Sequence, residues 1–110
     1  EVEDRHAILF DDIIDTGGTI AAASRALIER GAKSVSVAAT HGIFSDESVE
    51  KLKDTPIDEI IVTDTLKQNG NIEKIGNVKI LSVSSIIATA LTSIFADDSV
   101  SAIFMGENVL

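Results

Sequence analysis

Short apolar runs alternate along the chain with longer stretches in which apolar residues recur every three or four positions. That rhythm predicts strands alternating with helices. His6 to Phe10 (HAILF) has no polar alternation, the pattern of a strand buried on both faces. It stops at Asp11 and Asp12, and a turn, Asp15-Thr16-Gly17-Gly18-Thr19, opens a helix from about Thr19 to Arg30. Ile20, Ala23, Leu27 and Ile28 share one face of that helix, and Gly31 suits the position just past its end. Ser34 to Thr40 turns Val35, Val37 and Ala39 to one side as a second strand. After the loop His41 to Phe44, Ser45 is placed to cap a short helix ending by Lys53, with Asp46 and Glu47 in its first turn. Pro56 separates it from a third strand, Glu59 to Thr63. The polar stretch Asp64 to Asn77 reads as loop, with Lys67 to Asn71 a surface turn. Val78 to Val83 reads as a fourth strand, and Ser84 or Ser85 as the cap of a last helix carrying Ile86, Ile87, Ala90, Leu91 and Ile94. Ser99 to Phe104 alternates like a fifth, edge strand.

No repeat or linker divides the pattern, so residues 1–110 read as a single domain. The expected fold is α/β: a doubly wound, mostly parallel sheet. In such sheets ligands bind outside the carboxyl ends of the strands. That is where the first strand delivers its two Asp residues and its glycine turn.

Composition narrows the partners. Asp and Glu number 18 against 9 Lys and Arg, a formal charge of −9. A surface of that sign repels phosphate backbones and anionic lipid heads, which argues against nucleic acid and membrane as partners. No apolar run is long enough to cross a bilayer, and the chain reads as cytoplasmic. The absence of Cys removes disulfides, thiol nucleophiles and thiolate metal sites. Without Trp or Tyr, aromatic stacking carries no recognition.

The chemistry concentrates in Ile8 to Thr19, ILFDDIIDTGGT. Glycines at a strand-to-helix turn let backbone approach a ligand closely, and successive amides at a helix start cradle an anion. Thr16 and Thr19 add hydroxyl donors, so Asp15 to Thr19 reads as a phosphate cup. Neither G-x-x-x-x-G-K-[ST] nor G-x-G-x-x-G is present. A cup without Lys, beside two carboxylates, suits a sugar phosphate. Asp11 and Asp12 can accept hydrogen bonds from vicinal hydroxyls, and can hold Mg²⁺ through water.

Leu9-Phe10-Asp11-Asp12-Ile13-Ile14-Asp15-Thr16-Gly17-Gly18-Thr19 resembles the ribose-5-phosphate loop shared by phosphoribosyltransferases and phosphoribosyl pyrophosphate (PRPP) synthetases. Thr40-His41-Gly42-Ile43-Phe44-Ser45, Ile61-Val62-Thr63-Asp64-Thr65 and Ser99-Val100-Ser101-Ala102-Ile103-Phe104 resemble segments of the synthetases alone. The resemblance implies the phosphoribosyltransferase type of sheet and a ribose-phosphate diphosphokinase, which uses ATP and Mg²⁺ to convert ribose 5-phosphate to PRPP. It also implies that Asp15, Thr16, Gly17, Gly18 and Thr19 cradle the 5-phosphate while Asp11 and Asp12 bind ribose hydroxyls. In that family the catalytic Lys and Arg, the metal-binding His and Asp and the ATP pocket all precede the ribose loop. Residues 1–10 hold nothing comparable. The chain therefore reads as the C-terminal part of such an enzyme, incomplete at its N-terminal side and inactive alone. It is expected to work as a homo-oligomer or with the missing N-terminal half, through which ATP would bind. A phosphoribosyltransferase and a non-catalytic regulatory relative are the competing readings.

By the same resemblance Ser99 and Ser101 lie near a regulatory phosphate site between subunits. From the residues alone they read as outward hydroxyls of an edge strand. His41 reads as a loop histidine touching the neighbouring strand end.

Overall fold

A computed structural model describes residues 1–96 of the 110. The proposed strand Ser99 to Phe104, with Ser99 and Ser101, lies outside the described residues. The elements follow in the order β1 (His6–Ile14), α1 (Gly18–Glu29), β2 (Ser34–Gly42), α2 (Asp46–Lys53), β3 (Glu59–Thr63), α3 (Asn71–Ile75), β4 (Val78–Leu81) and α4 (Ser84–Phe95). The four strands form one parallel sheet in the order β1-β2-β3-β4. Register is constant along β1, from His6 opposite Ser34 to Ile14 opposite Gly42. The α/β class and the parallel sheet are those expected from the sequence.

Sequential order has a packing consequence. Right-handed crossovers between strands added always on the same side place every connecting helix on the same face of the sheet. That face holds the core: Val35, Val37, Ile60 and Val62 from the strands, against Ile20 and Ala21 of α1, Leu52 of α2 and Ile75 of α3. Four strands in this order make one wing of a doubly wound sheet. The opposite face is uncovered among the described residues, so β1 is not buried on both faces: Ile8 is 59% and Phe10 79% exposed. Helix α4 packs on no other described element, and its Ile87, Leu91 and Ile94 are exposed.

Other boundaries differ from the sequence pattern for local reasons. β1 runs on through Asp11 and Asp12 to Ile14, because pairing with β2 continues to His41 and Gly42. Within the polar stretch after β3, Ile72 and Ile75 stand three apart and turn inward as α3, between Gly70 and Gly76. β4 ends at Leu81, and Ser84 and Ser85 lie inside α4 rather than capping it. The N-cap position is Val83, which has no polar side chain to cap with; just outside it, Ser82 Oγ accepts the Ser84 N–H at 3.2 Å.

Ser24 of α1 is fully buried, and its hydroxyl has no partner among the described residues. A buried donor left unpaired opposes folding, so Ser24→Ala is expected to raise stability by about 1 kcal/mol. A higher urea midpoint at unchanged slope would show it; a lower midpoint would mean that the hydroxyl is bonded.

Candidate functional site

β1 delivers its last residue, Ile14, into the core, and the chain turns through Asp15, Thr16 and Gly17 before α1 begins. Gly17 is buried, with φ +80, and a Cβ there would stand 2.8 Å from Cγ of Leu52. Both the left-handed backbone and the closeness of α2 therefore require glycine. The first helical hydrogen bond of α1 runs from Ala21 N–H to Gly17 O at 2.9 Å. No side chain among the described residues caps this helix, and its first turn carries no acid. Its first amides thus face outward without a carboxylate in their place, as an anion site needs. Only the Gly18 N–H turns back, to Thr16 Oγ1 at 3.5 Å.

Asp11 to Ile20 line a cavity of about 260 Å³ at the carboxyl end of β1, so the structure brings all seven expected site residues to one concavity. Asp11, Asp12, Asp15 and Thr19 are exposed, Thr16 and Gly18 half-buried. Asp11 and Asp12 do not stand beyond the strand end as the sequence pattern had them. They are consecutive strand residues in the stretch where alternation breaks, since Leu9 packs on the core and Ile14, five positions on, is in it, and both Asp residues line the one cavity. Asp11 Oδ1 accepts the Asp12 N–H at 2.8 Å. Neither they nor Asp15 form an ion pair among the described residues. Among those residues no three His, Asp or Glu side chains cluster as a metal cage. Exposed carboxylate oxygens are the donor chemistry that a hydrated Mg²⁺ takes.

The turn is held from behind by a segment that residue chemistry alone did not mark. Ile43 and Phe44 N–H groups both donate to Ile14 O, at 2.8 and 3.2 Å. Ser45 donates from its N–H, at 3.0 Å, and from its hydroxyl, at 3.2 Å, to Asp15 O. Ser45 does precede α2, but its hydroxyl serves the cup instead of capping the helix. Phe44 adopts φ +50 while fully buried. For a bulky residue this strain costs about 1–3 kcal/mol and persists only where surroundings enforce it. The enforcement is visible: Asn71 Nδ2 donates to Phe44 O at 2.8 Å, Asn69 Nδ2 to the same oxygen at 3.2 Å, and Gln68 Nε2 to Gly42 O at 3.0 Å. Lys67 to Asn71 is thus more than a surface turn, because Asn71 is buried and latched.

The remaining polar groups at this end of the sheet are structural. His41 lies inside β2, paired with Ile13, and not in the loop expected for it; its Nδ1 meets Thr65 Oγ1 at 2.7 Å, a contact just past the end of the neighbouring strand. Asp64 Oδ1 accepts the Val83 N–H at 2.9 Å. That bond first, and the Ser82 hydroxyl second, hold the Asp64 carboxyl below its ordinary value. It fixes the entry to α4. A larger concavity, about 450 Å³, lies between the chain start and the end of α1, lined by Glu1, Val2, Glu3, Arg5, Leu27 and Arg30. It lies at the C-terminal end of α1, and no helix start is among its lining residues.

The chain matches the family model of the phosphoribosyl synthetase-associated domain over residues 1–105. It is 46% identical over 104 residues to a ribose-phosphate pyrophosphokinase of Haemophilus influenzae, covering 94% of this chain and 33% of that protein. With the ribose-phosphate pyrophosphokinase of Corynebacterium glutamicum the identity is 44% over 107 residues, covering 97% and 32%. The crystal structure of phosphoribosylpyrophosphate synthetase from Mycobacterium smegmatis superposes with a TM-score of 0.79 at 40% identity, covering 87% of this chain and 32% of that one. The chain spans about a third of the length of the curated relatives it matches.

Proposed function

The chain belongs to the phosphoribosyl synthetase-associated domain family, and from that premise we propose that it supplies the ribose-5-phosphate site of a ribose-phosphate diphosphokinase. The observation that carries the proposal is the uncapped start of α1, opened by left-handed Gly17 inside a cavity flanked by Asp11, Asp12 and Asp15.

In the proposed reaction the anomeric hydroxyl of ribose 5-phosphate attacks the β-phosphorus of ATP. The bond between the α,β-bridging oxygen and that phosphorus breaks, and PRPP and AMP leave. This chain contributes binding and orientation. Amides of Gly17, Gly18 and Thr19 and the hydroxyls of Thr16 and Thr19 hold the 5-phosphate. Asp11 accepts hydrogen bonds from ribose hydroxyls, and Asp12, the next residue, lines the same cavity. Mg²⁺, when bound, would be held by these two carboxylates through water and would neutralise charge on the phosphates. Groups that bind ATP and stabilise the transferring diphosphate belong to the other two thirds of such an enzyme, so the chain alone is proposed to bind without turnover. No helix among the described residues is long and apolar enough to cross a membrane; a cytoplasmic location is part of the same proposal. The bare face bearing Ile8, Phe10 and Leu81 supports work within a larger assembly, covered by those other two thirds or by further copies of the chain.

Amide NMR with ribose 5-phosphate and Mg²⁺ tests the site directly. Shifts should centre on Gly17, Gly18 and Thr19. Thr19 is exposed, so Thr19→Ala should leave the rest of the spectrum unchanged while weakening ribose 5-phosphate by about tenfold, the worth of a hydrogen bond to a charged group. A folded chain showing no shifts at the turn would sink the assignment.

A further inference from the structure

We propose that Lys51 of α2 completes the phosphate site, supplying from a distant part of the sequence the cation that the turn itself lacks. The inference rests on the sugar-phosphate reading and adds a ligand to it. Asp15 to Thr19 contains no Lys or Arg, and Asp11, Asp12 and Asp15 already place three negative charges at the cavity. A phosphomonoester adds nearly two more at neutral pH. The start of a helix offers only about half an elementary charge against them.

Packing of α2 on α1 brings the missing charge. Leu52 closes behind Gly17, which fixes the register of α2 on the turn. The residue before it, Lys51, therefore lies over Gly18. A Cβ added at Gly18 would stand 3.5 Å from Lys51 Nζ and 3.9 Å from its Cδ, with Thr16 Oγ1 3.8 Å from the same point. The ammonium and a cup hydroxyl thus flank one bare stretch of backbone at the mouth of α1. Gly18, whose φ needs no glycine, keeps that space open for the lysine stem.

Lys51 Nζ rests 3.3 Å from Oε2 of Glu47, one turn earlier on α2. Both side chains are well exposed, and such a pair is worth only about 0.3–0.5 kcal/mol. A dianion in the cup competes with Glu47 for the same ammonium and displaces a weak partner. Glu47 therefore acts against phosphate affinity and Lys51 for it.

Opposite signs at the two positions make the test. The wild-type chain, Lys51→Gln, Lys51→Arg and Glu47→Gln would be titrated with ribose 5-phosphate and with inorganic phosphate, following the amides of Gly17 to Thr19. Lys51→Gln should weaken both ligands by about fivefold, Lys51→Arg should restore most of the loss, and Glu47→Gln should tighten both by about twofold. Raised salt should shrink these differences. Wild-type binding at the turn, with Lys51→Gln within twofold of it, would overturn the role of Lys51 and leave the cup standing. Glu47→Gln binding more weakly would also overturn it. No wild-type shifts at the turn would instead remove the cup reading, and this inference with it.

Discussion

Gly17→Val should abolish ribose 5-phosphate binding and destabilise the chain in the same stroke. The residue sits at φ +80, a backbone region closed to a β-branched side chain. Its first added carbon would also lie 2.8 Å from Cγ of Leu52 and 3.0 Å from both of its methyls. Leu52 is 1% exposed and belongs to the buried core. Strain and overpacking each cost about 1–3 kcal/mol, so a total near 3 kcal/mol is expected. Relieving that strain means rotating the 17–18 peptide, which turns the cup amides away from a bound phosphate. Urea unfolding and the ribose 5-phosphate titration together measure both effects. Affinity within twofold of wild type would show that the turn does not bind phosphate. The exposed Thr19→Ala separates the binding effect from the folding one.

The strand and helix alternation was legible in the sequence because β2 alternates, β3 is a short apolar run bounded by Pro56 and Asp64, and α1 carries a regular apolar face. The cup was legible because its residues are contiguous: Asp11 to Thr19 form a single segment in the chain and a single concavity in the fold. What escaped was non-local. Carboxylates look like strand breakers, yet Asp11 stays in β1 because Ala39 pairs with it. The bare face of Ile8 and Phe10 follows from the spatial order of four strands, which no periodicity along β1 encodes. Asn71 sits in a polar, glycine-flanked stretch whose composition is that of a surface turn. Its burial comes from Phe44, 27 residues earlier. Lys51 lies far from the turn in sequence and reaches Gly18 only because α2 packs on α1.

Those non-local contacts are what a second substitution exposes. Gly42→Ala adds one methyl outside the cup, 25 positions beyond Gly17, and is expected to act on the cup nonetheless. The new carbon would stand 2.5 Å from Cε2 of Phe44, 3.1 Å from its Cδ2 and 3.1 Å from Cγ2 of Val62. Phe44 and Val62 are both fully buried, so the ring has to leave its place. Overpacking of this kind costs about 2–3 kcal/mol, visible as a lower urea midpoint. Phe44 also carries the strained backbone whose N–H, with those of Ile43 and Ser45, holds the carbonyls of Ile14 and Asp15. Moving the ring releases that grip, and the amides of Gly17 to Thr19 lose their fixed aim. Ribose 5-phosphate affinity should fall by about tenfold, the loss expected when one or two charge-assisted hydrogen bonds are misdirected. Stability lost with affinity intact would make the Phe44 turn a device of the core alone. Loss of both, beside a Ser24→Ala chain that binds normally, would mean that the strain in Phe44 is held in place to aim the phosphate site.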